Sequence, residues 1–144
     1  AKWVKYLPWI ITAVIIAGFT IGFSRSPDLG WDLIKTWVLF NGVLAAIGAA
    51  VARAHIVTII TAFLAAPITS LNPAVAAGMV AALVETYFRK PKVGDFEALQ
   101  SDATELKGWW RNPVTRILLV FILTNLGSAI GTWVSGFKIA AALV

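Results

Sequence analysis

Five apolar runs, separated by short polar or helix-breaking stretches, follow one another along the chain. They cover residues 6–23, 31–51, 55–71, 73–88 and 115–135. The first, second and last runs approach or reach the roughly 20 residues that a helix needs to cross a bilayer, whereas the two middle runs are too short alone. The pattern predicts an all-α, polytopic membrane bundle of four to five hydrophobic segments that form a single membrane domain, residues 1–144.

The two middle runs form one element, His55–Lys90, which is broken at its centre. Pro67 removes a backbone donor and disfavours helical conformation for the residue before it. Asn72-Pro73 is typical of a helix start, because asparagine caps helices and proline fits the first helical position. We therefore expect helix, break and helix, with the break inside the membrane or at its far side. The break is either a structural kink or hairpin, or a substrate or ion site. The polar candidates for such a site are Thr69, Ser70 and Asn72.

One segment outside the apolar runs, residues 93–110, shows helical periodicity. Its apolar residues recur every three or four positions, at Val93, Phe96, Leu99, Ala103, Leu106 and Trp110. The remaining face is acidic, which is unlike the Lys/Arg-rich face of a helix that binds lipid. We expect a short amphipathic helix that docks on the bundle or on another part of the protein.

Small residues recur at helical spacing within several of the runs. Gly42 and Ala46 are four residues apart, as are Gly127 and Gly131, and Gly78 follows the break. In membranes, small residues at this spacing let helix backbones approach closely. We expect these five residues to pack helices against each other, either within one bundle or between the copies of a homo-oligomer.

A few polar residues lie inside the runs or at their ends. Glu85 and Arg89 are four residues apart, which allows an ion pair at the membrane surface, whereas a deeper Glu85 needs a partner or a proton. Asn41 and Asn125 lie inside runs, where such residues usually bridge helices. Asn112 is followed by proline, so we expect it to cap the last span at the water interface.

Composition assigns the protein class. Of the 144 residues, 59% are hydrophobic and 13% are charged, against about 25% charged in soluble domains, so we expect an integral protein of the cell membrane. Basic residues flanking the runs explain the net charge of +5 better than nucleic-acid binding does. Cysteine is absent and His55 is the single histidine, so we predict no catalytic residue, no cofactor, no metal site and no enzyme activity for this chain. The chain starts at Ala1 rather than Met, and we expect it to be a piece of a longer protein.

The positions of Lys and Arg distinguish two topologies. If the broken element enters and leaves on the same side, nine basic residues share that side: Lys2, Lys5, Arg53, Arg89, Lys90, Lys92, Lys107, Arg111 and Arg116. The opposite side then holds Arg25, Lys35 and Lys138. If the element crosses once, the division is four against eight. The positive-inside rule favours the first topology, with residues 93–110 in the cytoplasm.

Five short motifs, in which x is any residue, occur in this order: HxxTIxTAF at 55–63, AAPITSLNP at 65–73, LVExxxRKPxxxDF at 83–96, WxNxxTRIL at 110–118 and NLGS at 125–128. Together they resemble the C-terminal transmembrane domain of the TraB/PrgY, or pheromone-shutdown, family, which has bacterial and many archaeal members. Family members carry an N-terminal TraB domain that is related to the Tiki proteins and is proposed to be a metal-dependent peptidase. The Gly-x-x-His motifs and acidic ligands of that domain have no counterpart in this chain.

The resemblance implies a membrane-embedded module that anchors, and in an oligomer assembles, a separate peptidase domain acting on signalling peptides. The implied partners are the lipid bilayer and an N-terminal soluble domain of the same protein. An extracellular peptidase domain would conflict with the topology that the charges favour.

The alternative function is a small channel or transporter with a site at Asn72-Pro73, because Asn72-Pro73-Ala74 is similar to the aquaporin signature. Against it, 144 residues are too few for six spans and two half-helices.

Overall fold

A computed structural model describes residues 2–71 and 76–144, and in these ranges the chain is helical without any strand. After a 3₁₀ helix, Lys2–Tyr6, the helices are α1 Leu7–Arg25, α2 Pro27–Val51, α3 Ile56–Thr69, α4 Ala77–Phe88, α5 Val93–Glu97, α6 Leu99–Ala103, α7 Leu106–Arg111 and α8 Pro113–Leu143. Three stretches, Val4–Arg25, Pro27–Val51 and Pro113–Leu143, are long and apolar enough to cross a membrane, and α3 and α4 are shorter apolar helices. The predicted fold class is confirmed.

The antiparallel helices α2 and α8 form the centre of the bundle, and glycines set their separation. A Cβ added at any of three glycines would overlap a backbone carbonyl of the opposite helix: Gly131 against Phe40, Gly127 against Leu44 and Gly48 against Leu123. Only a Cα–H fits these positions, and Cα–H groups that face carbonyl oxygens recur at close helix–helix contacts. The two backbones therefore pack directly on each other.

Glycines also bring α3 and α4 close to this pair. A Cβ on Gly42 of α2 would lie 2.9 Å from the carbonyl oxygen of Phe63 in α3. A Cβ on Gly78 of α4 would overlap the carbonyl of Phe121 in α8. Ala46, the fifth residue of the predicted packing set, is only half-buried, and the buried alanines of α2 are Ala45 and Ala49.

The core consists of small side chains, whereas large apolar side chains point outward. Alanines on the inner faces of α2, α3 and α4 are buried, while Trp9, Leu64, Leu83 and Trp133 are exposed. A soluble protein buries its large apolar residues first. The reverse arrangement fits helices that pack through small residues and present large ones to lipid.

Helix α3 does not break at Pro67, as the sequence predicted, but continues through it to Thr69. Pro67 cannot donate to the carbonyl of Phe63, and that oxygen instead faces the Cα of Gly42. The carbonyl of Pro67 accepts a hydrogen bond of 2.9 Å from Nε1 of Trp37. Contacts with α2 thus compensate for the helical hydrogen bond that is missing at Pro67. The predicted helix start at Asn72-Pro73 lies outside the described residues.

The prediction of a single amphipathic helix for residues 93–110 is wrong, because the segment folds into three short helices, α5, α6 and α7. Gly108 of α7 packs against the carbonyl of Asp102 in α6, which folds α7 back on its predecessor. The expected apolar stripe is split as a result, and Val93 and Leu106 are 75% and 77% exposed.

We predict that Gly127→Ala lowers the melting temperature of the protein in detergent. Alanine has a higher intrinsic helix propensity than glycine by about 1 kcal/mol, but its Cβ would overlap the Leu44 carbonyl, and overpacking costs about 1–3 kcal/mol. Gly136→Ala on the same helix is the matched control, because a Cβ there meets nothing within 4 Å. We expect Gly136→Ala to leave the melting temperature unchanged or raise it. Equal melting temperatures for both variants would contradict the packing role of Gly127.

Candidate functional site

A buried carboxylate holds the beginning of α3 beside the end of α4. Glu85 is 1% exposed. Its Oε2 accepts hydrogen bonds from the backbone N–H of His55 at 2.9 Å and from Oγ1 of Thr58 at 3.1 Å. Nη1 of Arg89 lies 3.3 Å from Oε1 and also donates to the carbonyl oxygen of Arg53 at 2.7 Å. Because these bonds join the start of one helix to the end of the next, α3 and α4 form an antiparallel hairpin.

The cluster places a negative charge beside the start of α3 and a positive charge after the end of α4. Glu85 lies at the N-terminus of α3, where a negative charge is favoured, and Arg89 follows the C-terminus of α4, where a positive charge is favoured. Nδ1 of His55 accepts from the N–H of Val57 at 3.1 Å, and its ring stacks on Phe88 at 4.7 Å. His55 thus caps α3, and the ion pair predicted for Glu85 and Arg89 is present with Glu85 buried.

Uncharged polar side chains cluster at the opposite end of the hairpin, where α3 ends. Oγ of Ser70 lies 2.8 Å from Oγ of Ser128 in α8. Oδ1 of Asn125 accepts from the N–H of Gly78, near the start of α4, at 2.8 Å. The hydroxyl of Thr69 donates to the carbonyl oxygen of Ala65 at 3.0 Å. Side chains of α8 therefore hold both helices of the hairpin.

Asn41, the remaining polar candidate in the described residues, bridges α2 and α8. Its Oδ1 accepts from Oγ1 of Thr132 at 2.8 Å, and its Nδ2 donates to the carbonyl of Trp37 at 3.0 Å. Asn41 is fully buried, so these bonds satisfy the amide where water is absent. Asn72 lies outside the described residues.

A cavity of about 660 Å³ adjoins this polar cluster. Its polar lining consists of Thr69, Ser70, Asn125, Ser128 and Thr132. The rest of its wall is apolar and comes from α1, from the start of α4 and from the second half of α8, including Trp133 and Phe137. No lining residue is charged. A volume between 300 and 1,000 Å³ is typical of small-molecule sites.

Several of these residues were absent from the predicted site. Thr58 and Ser128 occur only within the family motifs, and Thr132 is not among the predicted residues. Their signal in the sequence is weak, because serine and threonine inside membrane helices usually bond to their own backbone. The useful signal was the recurrence of Thr124, Ser128 and Thr132 every four residues, which places polar groups on one face of α8. Within residues 2–71 and 76–144, no three acidic or histidine side chains are placed to share a metal ion.

A second polar cluster ties the segment 93–111 to the start of α8. Asn112 caps α8 by accepting from the N–H of Val114 at 2.9 Å, but it is 2% exposed rather than at the water interface. Its Nδ2 donates to the carbonyl of Asp95 at 2.7 Å and to Oδ2 of Asp102 at 3.0 Å. The hydrogen bond from Asn112, and then that from Arg111 at 3.0 Å, lower the pKa of Asp102 below its usual 3.8.

We predict that Glu85→Ala strongly destabilises the hairpin. Loss of the carboxylate leaves the His55 N–H and the Thr58 hydroxyl without their acceptor, and an unsatisfied buried group costs about 1–3 kcal/mol. We expect a clearly lower melting temperature in detergent and faster proteolysis near residue 53. Glu97→Ala, which removes an exposed carboxylate, is the control and should have no effect. Indistinguishable melting curves for the two variants would refute the role of Glu85.

We predict that the segment 93–111 loosens in acid. The folded state depresses the pKa of Asp102, so its stabilisation is complete above the unfolded value near 4 and is lost as the pH falls through the lowered pKa. A fluorophore at Ala98→Cys, an exposed position in a chain without cysteine, should show rising mobility by polarisation below about pH 4. Asp102→Asn should remove this pH dependence. An unchanged transition in Asp102→Asn would assign it to another group.

One of the comparisons with known proteins identifies a family. A family model described as the C-terminal domain of TraB family proteins matches residues 3–144. The chain is also similar to a Methanocaldococcus jannaschii protein described as uncharacterized, with 38% identity over 134 residues, which cover 90% of this chain and 34% of the relative. The chain thus spans about a third of the length of that relative. No solved structure matches the chain. The resemblance predicted from the motifs is confirmed: the chain belongs to the TraB family, and residues 3–144 correspond to the C-terminal domain of that family.

Proposed function

We propose that the chain is the membrane module of a TraB-family protein and anchors the rest of that protein to the cytoplasmic face of the cell membrane. The observation that carries this proposal is the antiparallel hairpin α3–α4. Bonds from Glu85 to His55 and Thr58 hold the two ends of the hairpin together. Both ends therefore belong to the same side of the membrane, as in the first of the two topologies.

The hairpin enters the membrane without crossing it. Helices of 14 and 12 residues extend about 21 and 18 Å, and the hydrocarbon core is about 30 Å thick. Ser70 near the tip contacts Ser128, which lies in the middle of the 31-residue helix α8. Polar groups at this depth have to be covered by protein, because lipid cannot form hydrogen bonds with them. The contacts with α8 supply part of that cover.

The orientation follows from charge. With α1, α2 and α8 as crossings and α3–α4 as a re-entrant hairpin, nine basic residues are on the side of His55 and three are on the side of Ser26. The positive-inside rule assigns the side of His55 to the cytoplasm. The segment 93–111 and the N-terminus of the module are then cytoplasmic.

The remainder of the protein is proposed to include the peptidase domain implied by the family resemblance. The matched family model is a C-terminal domain, so the preceding part of such a protein joins the module at its N-terminus. In the proposed orientation this part is cytoplasmic, and any signalling peptide that it cleaves is cleaved inside the cell. The chain itself supplies the anchor and no catalytic group.

A small channel or transporter is the second candidate, and the polar-lined cavity favours it. In addition, Oγ1 of Thr124 is buried in the bundle and has no hydrogen-bond partner among the described residues. Such an atom would be satisfied by water in a solute pathway. Liposomes containing the protein test this candidate. A flux of small solutes that Ser128→Leu abolishes would establish transport, and the absence of flux leaves the anchor function.

We predict that single cysteines at Ser26 and Ser101 react from opposite sides of the membrane. The chain has no natural cysteine, so a membrane-impermeant maleimide applied to intact cells should label Ser26→Cys, and Ser101→Cys only after lysis. Val144→Cys should behave like Ser26→Cys, because α8 ends on that side. Labelling of Ser26→Cys and Ser101→Cys from the same side would show that the broken element crosses once.

A further inference from the structure

We propose that the 660 Å³ cavity binds an uncharged, membrane-dissolved molecule that carries a hydrogen-bond-accepting oxygen, such as a ketone or quinone carbonyl, on an apolar body. This inference goes beyond the anchor function. It uses three properties of the cavity: the absence of charge, the hydrogen-bond donors at its polar end, and its position between two loosely packed helices.

The wall of the cavity selects against charged ligands. None of its lining residues is charged, and most of its wall is apolar. A charged group that entered would lose its hydration without gaining a partner, which costs several kcal/mol or more. A neutral, largely apolar molecule loses little hydration at the same place. The cavity volume is in the range that is typical of sites for small-molecule ligands.

The polar end of the cavity offers hydrogen-bond donors to a ligand. The hydroxyl of Thr132 is already donated to Asn41 Oδ1, and that of Thr69 to the carbonyl of Ala65. The Asn125 Oδ1 is used by the N–H of Gly78, which leaves its amide N–H groups without a recorded acceptor in the described part of the chain. In the pair Ser70–Ser128, one hydroxyl donates to the other, so the second O–H has no acceptor among residues 2–71 and 76–144. These N–H and O–H groups match a carbonyl oxygen.

The cavity is placed to receive a ligand from the lipid phase. A second cavity of about 230 Å³ between α1 and α8 shares Gly136 and Ala140 with the first. A Cβ at Gly136 would meet nothing within 4 Å, so this face of α8 is open. Trp133 and Phe137 also line the cavity, yet are 69% and 68% exposed, with ring centroids 6.0 Å apart. An apolar molecule can therefore pass between α1 and α8 without crossing the charged side of the protein.

An alkyl benzophenone provides the test, because its ketone is both the proposed recognition group and a photoreactive one. In lipid nanodiscs, ultraviolet light should crosslink the probe to the protein saturably, with adducts in the second half of α8. A dialkyl ketone should compete, and a hydrocarbon of the same length should not. Labelling that never saturates, or equal competition by the hydrocarbon, would overturn the proposal.

Variants locate the site. The double variant Ser70→Ala/Ser128→Ala removes both hydroxyls of the pair, and with them its free O–H, and should weaken probe binding about fivefold, the usual effect of one hydrogen bond. Ser135→Ala is its control, because Ser135 is a buried serine of the same helix outside the cavity lining. Gly136→Leu should fill the open space and abolish saturable labelling, while Gly94→Leu, also at an open position, should not. If Ser70→Ala/Ser128→Ala fails to fold, Gly136→Leu decides, and full labelling of Gly136→Leu would refute the site.

Discussion

The close approach of glycine Cα atoms to carbonyl oxygens is the contact on which the rest of the structure depends. Lipid tails are as apolar as leucine, so burial of apolar side chains drives little association between helices in a bilayer. Dispersion and Cα–H···O contacts take over, and both require short distances. Gly48, Gly127 and Gly131 bring α2 and α8 together, and Gly42 and Gly78 add α3 and α4 to that pair. The alanine-rich core and the outward-facing large side chains follow from this spacing.

Polar groups are graded along the hairpin according to the cost of removing them from water. The charged pair Glu85–Arg89 lies at the ends of the two helices, where the Arg89 side chain is partly exposed. At the opposite end of the hairpin, the polar side chains of the described residues are the hydroxyls of Thr69 and Ser70, and Ser70 and the backbone N–H of Gly78 pair with α8. A carboxylate at the tip would cost several kcal/mol, whereas a paired hydroxyl costs little. Because the charged groups are at the other end of the hairpin, the cavity beside the tip has a polar but uncharged lining.

The sequence predicted those features that depend on period and composition. Helix class, the long apolar spans and the family motifs are properties of single segments, and the fold class and family are confirmed. The path of α3 through Pro67 was not predictable, because it depends on Gly42 and Trp37 of a different helix. The three short helices in place of one depend on the contact between Gly108 and Asp102, which periodicity does not report. The cavity forms because α1 and α8 lie apart, and the distance between two helices cannot be read from the sequence of either helix.

The pairing of the hairpin with α8 has a consequence for biogenesis. The groups that satisfy Ser70 and the backbone of Gly78 belong to Ser128 and Asn125, and a ribosome synthesises these residues about 50 residues later than the hairpin tip. Until then, the tip has no polar partner on α8 within the hydrocarbon layer. In the proposed topology the hairpin therefore remains at the cytoplasmic surface of the membrane while α8 is synthesised. It inserts into the membrane, packed against α8, once α8 has crossed. Glu85 and Arg89 stay at that surface throughout, so neither charge ever crosses the bilayer during assembly.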